Sequence, residues 1–336
     1  MGALTTTTEV PDLLGAWASR KQIVVAKPNL VHASIAQKAE MPTGNGTTAK
    51  FRKYNALTTT GTVLAPLEET VPPTGEAMSK SDITSTLGQW GNYVTLSDMV
   101  EYTVKDPVMR IAVERLGRQA GQVIDKLLRD EVAAGTQVVY ADGGANRAAL
   151  VNTSDILAAG DVKKCVRVLQ ENDAEVFERM ILASTKIDTK PLRPSYVGIV
   201  HPHQYFDIED DSTFVSVANY ANQQAVHPAE VGYFNHVRFL STTHCKVWAS
   251  GGGSASGVKS TDSSNADVYG TMIFGPNAVG DVPLSGKSLE NIMHARGSGG
   301  VTDPINQKAT AGWKHTGTRV ILEDEFMIRL ETTATA

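Results

Sequence analysis

Apolar residues recur most regularly between Asp106 and Gly135. Val108, Ile111, Ala112, Leu116, Ala120, Val123, Ile124, Leu127, Leu128 and Val132 follow one another at steps dominated by three and four, the period of a helix with one apolar stripe. Asp106 as N-cap with Pro107 at the first turn opens it, and Gly135 closes it. At ~1.5 Å per residue such a helix runs roughly 40 Å, the length of a whole domain. A second helix is expected from a Ser154-Asp155 cap through Ile156, Leu157, Val162, Cys165, Val166 and Leu169.

The remaining apolar groups are shorter and strand-like. Between Lys50 and Tyr102 the chain is rich in Thr, Val, Tyr and Trp and broken by Pro66, Pro72, Pro73 and Gly75, which predicts a long two-stranded excursion. Its apolar residues are too sparse to cover two faces of a sheet, and a lone hairpin is marginal in water without a neighbour. Strands are predicted in "VFERMILAS", at Tyr196 to Val200, in "HVRFLST", "KVWAS" and "DVYGTMIFG", and twice in "VILEDEFMIRLETT". A linker is expected at "TKIDTKPLRP", a helix from His203 to Ala218, and an exposed loop at "GGGSASGVKSTDSSNA", residues 251–266. Residues 1–50, interrupted by Pro11, Pro28, Pro42 and the "TGNGTT" run, suit an arm lying on another surface.

Composition narrows the class. The 336 residues, 41% hydrophobic and 20% charged, can hold about two packed domains. The net charge of -5 gives no general attraction to nucleic acid, although the amino end is mildly basic. There Arg20, Lys21, Lys27, Lys38, Lys50, Arg52 and Lys53 outnumber Glu9, Asp12 and Glu40. The first twenty residues lack the pattern of an export signal, and no run reaches the eighteen apolar residues of a membrane helix. Cys165 and Cys245 are too few and too far apart for a disulfide framework and read as reduced core residues.

Chemistry is sought and not found. In "YVGIVHPHQYFDI", His201 and His203 make two ligands where a zinc site needs three or four, so the segment reads as a buried strand that turns through His-Pro-His into a helix. "GDVPLSGKS", residues 280–288, places five residues between Gly280 and Gly286 where a phosphate loop has four, and reads as a turn. "GSGG" at 297–300 neither follows a strand nor opens a helix, and reads as a hinge. Asp125 with Arg129 and Lys126 with Asp130 are expected to be surface ion pairs of the long helix. The basic cluster "KFRKY" reads as a solvated strand edge. No catalytic residue, cofactor site or metal site is assigned.

The order of these parts resembles the tailed-bacteriophage major capsid proteins of the Hong Kong-type fold, most closely the branch typified by the podovirus N-four. The residues that carry it are "AKFRKYNAL" (49–57), "LEETVPPTGEAMSKSDITSTLGQWGNYVTLSD" (67–98), "DPVMRIAVERLGRQAGQVIDKLLRDEVAAGTQVVYA" (106–141), "YVGIVHPHQYFDI" (196–208), "DPINQKATAGWKH" and "RVILEDEFMIRLE" (303–331). The resemblance implies an α+β chain: an N-terminal arm at 1–48, an extended β-hairpin loop at 49–104, and a peripheral domain at 105–190 with its spine helix at 106–135. An axial domain at 191–290 would carry the 251–266 loop, and 291–336 would return to the peripheral strands.

It further implies a structural protein and no enzyme, self-assembling into pentamers and hexamers of an icosahedral shell around packaged double-stranded DNA, without sequence-specific contact and without a membrane. Portal and scaffolding or decoration proteins are the expected partners, and the virion, assembled in the host cytoplasm, the expected location. Phe51, Tyr54, Leu64, Leu67, Trp90 and Tyr93 are the expected inter-subunit contacts, and Ile111, Leu116, Val123 and Leu127 the expected core of the spine. The competing readings are a soluble nucleotide-binding enzyme with a flexible lid, resting on residues 280–288, and a decoration protein of a capsid.

Overall fold

A computed structural model describes residues 31–57, 75–103, 108–177, 194–219, 225, 227–298 and 304–336. Its strands are β1 (Gln37–Lys38), β2 (Thr48–Tyr54), β3 (Lys80–Thr86), β4 (Gly88–Ser97), β5 (Val138–Tyr140), β6 (Tyr196–Val200), β7 (Val215–Ser216), β8 (Glu230–Phe234), β9 (Val237–Ser241), β10 (Lys246–Trp248), β11 (Val268–Phe274), β12 (Val279–Pro283), β13 (Glu290–His294), β14 (Lys308–Ile321) and β15 (Met327–Thr332). The helices are α1 (Asp98–Thr103), α2 (Val108–Val132), α3 (Ala159–Glu171) and α4 (Pro202–Glu209).

Two sheets share α2. The eight-stranded sheet runs β5-β15-β11-β6-β9-β8-β7, with β10 also on β11. Its alternate residues serve opposite faces, as the period of a strand requires. Val197, Ile199, Leu240, Met272, Phe274 and Met327 meet Leu128 and Val132 of α2. Tyr196, Val200, Phe239, Ile273, Ile328 and Leu330 meet Val162, Cys165, Val166 and Leu169 of α3 and Ile208 of α4. Burial on both faces explains why β6 and β11 read as unbroken apolar runs. The smaller sheet is built on β14, paired with β4 along one side and with β12 and β13 end to end along the other, and β1 lies outside β12. Ala311 and Trp313 of β14 pack on Val113, Leu116 and Ala120, so the two halves of α2 belong to different cores and fix the sheets to one another.

Several expectations are corrected. The second helix begins at Ala159, because the Asp155 carboxylate instead accepts the Val151 and Asn152 N–H groups and closes a turn ahead of it. The helix after His201 ends at Glu209: Asp210 and Asp211 stand where a helix disfavours negative charge, and Asp211 accepts from the Thr213 backbone and hydroxyl. Residues 251–266 are no free loop. Gly252 pairs with Ala266, Gly253 with Leu150, Ser256 with Val151 and Lys259 with Ala334 through the backbone, and Val258 is buried.

Among the described residues the hairpin expected over 49–104 is paired at β2 and β3, in register from Thr48↔Thr86 to Tyr54↔Lys80; past Leu87 the chain joins β14 and then forms α1. β12, β13 and the first part of β14 escaped the sequence reading. The two sheets also interleave across residue 290, since β12 sits in the β14 sheet and β15 in the other. The cap at Asp106-Pro107, all of the linker but Pro194, most of "VFERMILAS" and residues 58–74 lie outside the described residues. Cys165 and Cys245 are free and buried, as expected.

Candidate functional site

The His-Pro-His segment is a corner between β6 and α4. His201 is the N-cap of α4 and its ring accepts from the His203 N–H at 3.2 Å, while Gln204 accepts the His201 N–H. Gln204 is itself buried and bonded to Thr332 and Thr271. The two histidine rings lie 4.8 Å apart, and that of His201 lies 5.0 Å from the ring of Tyr269. Burial, then the neighbouring His203 and Lys259, pushes His201 down to about 4, so it is neutral at physiological pH. Its ring is committed to capping. Among the described residues no group of three or more His, Cys, Asp or Glu side chains is placed to hold a metal.

Residues 280–288 are equally structural. β12 ends at Pro283, Gly286 takes φ +72°, open only to a residue tolerant of the left-handed region, and the chain returns as strand β13. A phosphate cradle needs a helix there, and none follows.

The residues expected at subunit contacts divide. Phe51 packs with Met41, Ala49, Leu87, Val282 and Leu284 inside the chain. Trp90 folds back over Gly88, where an added Cβ would lie 2.5 Å from its ring, stacks 6.0 Å from the His315 ring and has the Arg319 guanidinium 5.2 Å from its ring centre. Tyr54 and Tyr93 point outward, 60% and 69% exposed. Leu64 and Leu67 lie outside the described residues. On α2, Leu116 is buried and Val123 packs against the same core, whereas Leu127 is half-buried and Ile111 is 43% exposed. Ile111 is therefore not a core residue: the buried face runs through Val113, Leu116, Ala120, Asp125, Leu128 and Val132, and Ile111 lies beside it. Tyr93 and Ile292 line an open groove of about 440 Å³ floored by Gly312 on the face of the β14 sheet, and Met99, Val100, Tyr102 and Ile305 add exposed apolar surface on α1 and ahead of β14.

Two buried polar nodes were not foreseen. Asp125, expected on the surface, is fully buried and accepts from the His32 backbone at 2.8 Å and from His32 Nδ1 at 2.9 Å, with His244 Nδ1 at 3.5 Å. Burial raises its carboxyl, but the His32 hydrogen bonds and charge outweigh that and hold it below the usual range. It thereby joins α2 to residues 31–36 and to the turn after β9. Its place on the apolar stripe, four after Gly121 and three before Leu128, was the available signal. Arg129 pairs instead with Asp130, which also takes Lys246. In the second node Arg319 reaches His315 Nε2 at 2.5 Å and Asp281 at 3.2 Å, and His315 Nδ1 meets the Ser288 carbonyl. Burial and then the Arg319 charge push His315 down to about 4.

The basic strand β2 is paired rather than bare: Lys50 and Arg52 bracket Asp82, and Lys53 reaches Glu323. What the described residues offer is exposed apolar surface, at Tyr54, Tyr93, Met99, Tyr102 and Ile305 among others.

Comparison with known proteins agrees. A family model described as phage capsid protein matches residues 80–304. No curated protein matches the sequence. Among solved structures, the capsid of cyanophage P-SCSP1u is similar over 91% of this chain and 89% of its own, with 15% identity and a TM-score of 0.61. The capsid of Ralstonia phage GP4 is similar over 90% and 88%, with 13% identity and a TM-score of 0.63. The head of Helicobacter pylori bacteriophage KHP40 is similar over 91% of both chains, with 11% identity and a TM-score of 0.58. With the Hong Kong-type capsid fold and a capsid family match over residues 80–304, the chain belongs to the phage capsid protein family as a structural major capsid protein.

Proposed function

We propose that copies of this chain form pentamers and hexamers that close into an icosahedral shell around packaged double-stranded DNA. The observation that carries the reading is the family match over residues 80–304, joined to a fold shared with capsid structures along about nine-tenths of each chain. In this reading the β14 sheet with the first half of α2 forms the peripheral part of the subunit, and the eight-stranded sheet forms the axial part near the capsomer centre. The β2–β3 hairpin extends over a neighbour, and Tyr54 and Tyr93 supply contact surface there. The net charge of -5 lets DNA fill the interior without adhering tightly to the wall. Portal, scaffolding or decoration proteins would join the shell, and assembly would take place in the host cytoplasm.

Negative-stain electron microscopy of the purified protein after size-exclusion chromatography tests the reading. Shells, tubes or rings of five or six subunits are expected. A sharp monomer at every concentration, alone and with a scaffolding protein, would overturn it.

A further inference from the structure

We propose that the outer edge of β4 receives an extended strand from a second copy of this chain, so that neighbouring subunits join through backbone hydrogen bonds as well as side chains. The proposal rests on the shell reading above and names one surface within it.

Strand direction and register define the edge. Asp98 N–H donates to the Gln307 carbonyl at 3.0 Å, in line with the β4–β14 pairing that runs from Ser97↔Lys308 to Gly88↔Gly317. In an antiparallel ladder alternate residues bond to one side, so Gly88, Trp90, Asn92, Val94 and Leu96 face β14. Gln89, Gly91, Tyr93, Thr95 and Ser97 then turn their N–H and C=O groups to the opposite side. The Tyr93 N–H is accepted by the Asn92 side chain at 2.9 Å. The N–H groups of Gln89, Gly91, Thr95 and Ser97 have no acceptor among the described residues. The hairpin uses that same side one step earlier. Leu87 N–H donates to Thr47 at 2.8 Å, and odd-numbered residues of β3 bond to β2. One continuous side of the chain from Lys80 to Ser97 is therefore filled by β2 over its first part and empty of described partners over its second. At ~3.4 Å per residue that second part runs about 30 Å.

The chemistry of the edge sets it apart from others in the molecule. Soluble proteins guard exposed edges with charge, proline, bulges or brevity. β2 and β3 carry Lys50, Arg52, Lys53, Lys80 and Asp82, β13 carries Glu290 beside Lys287, and β7 is two residues long. β4, "GQWGNYVTLS", is ten residues long with no charge and no proline. In a solitary protein such an edge is an aggregation hazard. In a chain whose working state is contact with its own copies, it is a receptor. Its neutrality means that the incoming strand is selected by backbone fit, in the manner of strand addition, and Tyr93 beside it supplies apolar cover.

Hydrogen–deuterium exchange on assembled particles of the purified chain, against dissociated subunits, reads this at single-residue resolution. The amides of Gln89, Gly91, Thr95 and Ser97 should exchange at least about tenfold more slowly in particles, while the amides facing β14 are protected in both. Thr95→Pro removes one outward N–H that β14 does not use, an edge position where proline is tolerated; it should leave the subunit folded and its β14-facing amides protected, and abolish particles. Particles with rapidly exchanging edge amides, or Thr95→Pro particles at the yield of the parent chain, would overturn the edge assignment while leaving the shell reading intact. If Thr95→Pro fails to fold, the exchange comparison on the unmodified chain decides alone. Absence of any particle would remove both readings together.

Discussion

Replacing Asp125 by Ala should destabilise the subunit by about 3–5 kcal/mol, the range for losing two hydrogen bonds to a buried charged acceptor. The figure follows from what remains behind. The carboxylate accepts two hydrogen bonds from His32, at 2.8 and 2.9 Å, at a site where both side chains are almost completely buried. Each hydrogen bond to a charged group contributes about 1.5–3 kcal/mol, and no water can reach the abandoned donors without opening the site. Val31 and Ala33 sit in the same core as Leu128 and Val132, so the loss should be regional as well. Residues 31–36 should leave α2 before the sheets unfold. Urea unfolding of dissociated subunits gives the global number, and amide exchange of residues 31–36 gives the local one. Asp125→Asn, which keeps one acceptor, should cost roughly half as much. In a double-mutant cycle His32→Ala and Asp125→Ala should be coupled by at least about 1 kcal/mol, as expected for residues in one network. A loss below about 0.5 kcal/mol for Asp125→Ala, with unchanged exchange at 31–36, would refute the argument that this carboxylate fastens the arm.

Other consequences are as direct. His315 is held near 4 when folded and titrates near 6.5 when unfolded, so below 6.5 the unfolded chain binds the extra proton and stability falls until the pH reaches about 4. The whole window is worth at most about 3 kcal/mol, and His315→Gln should flatten that part of the stability profile; an unchanged slope would sink the assignment. Replacing both His201 and His203 by Gln should leave metal content unchanged and cost about 1 kcal/mol through the lost cap of α4; a stoichiometric metal that disappears on substitution would restore the discarded metal reading. Removing residues 60–78, between the paired strands of the hairpin, should abolish particles while α2 and both sheets remain folded by circular dichroism. Closed shells from that deletion would show that the hairpin is dispensable.

The sequence displayed the elements whose burial is one-sided or complete. The stripe on α2 and the apolar runs of β6 and β11 are visible because period and packing coincide. The β14 sheet stayed hidden for the opposite reason. His315, Thr316, Thr318 and Arg319 are buried polar residues in its longest strand, and His315 meets Ser288, Thr318 meets Ser85 and Arg319 faces Asp281, all from distant parts of the chain. No local pattern reports such partners. Asp125 is intermediate: its place on the apolar stripe marked it for burial, but its pairing with Arg129 four residues on read as a surface contact, and its partner His32, 93 residues away, leaves no local trace. Of the residues expected at subunit contacts, Tyr93 is exposed, whereas the ring of Trp90 is occupied by Gly88, His315 and Arg319.

That occupation connects the interior of the β14 sheet to its edge. Trp90 and Tyr93 lie three apart on one strand, and alternation sends Trp90 to the α2 face and Tyr93 to the opposite one. The Trp90 ring, closed over Gly88, braces the junction at which the chain passes from the hairpin to β4, and Ser85 adds a hydroxyl contact to Thr318 across the same junction. The strand beyond it is thus held straight by packing on one face while its outer edge has no strand partner among the described residues. A receptor for a neighbour's backbone needs that rigidity, since a frayed edge would have to be ordered before it could pair. Trp90→Ala should therefore weaken assembly without touching any exposed contact: the β14-facing amides of β4 should exchange faster in the dissociated subunit, and the concentration needed to form particles should rise. If the exchange rates stay fixed and assembly still fails, Trp90 meets the neighbour directly, and the brace has been assigned to the wrong residue.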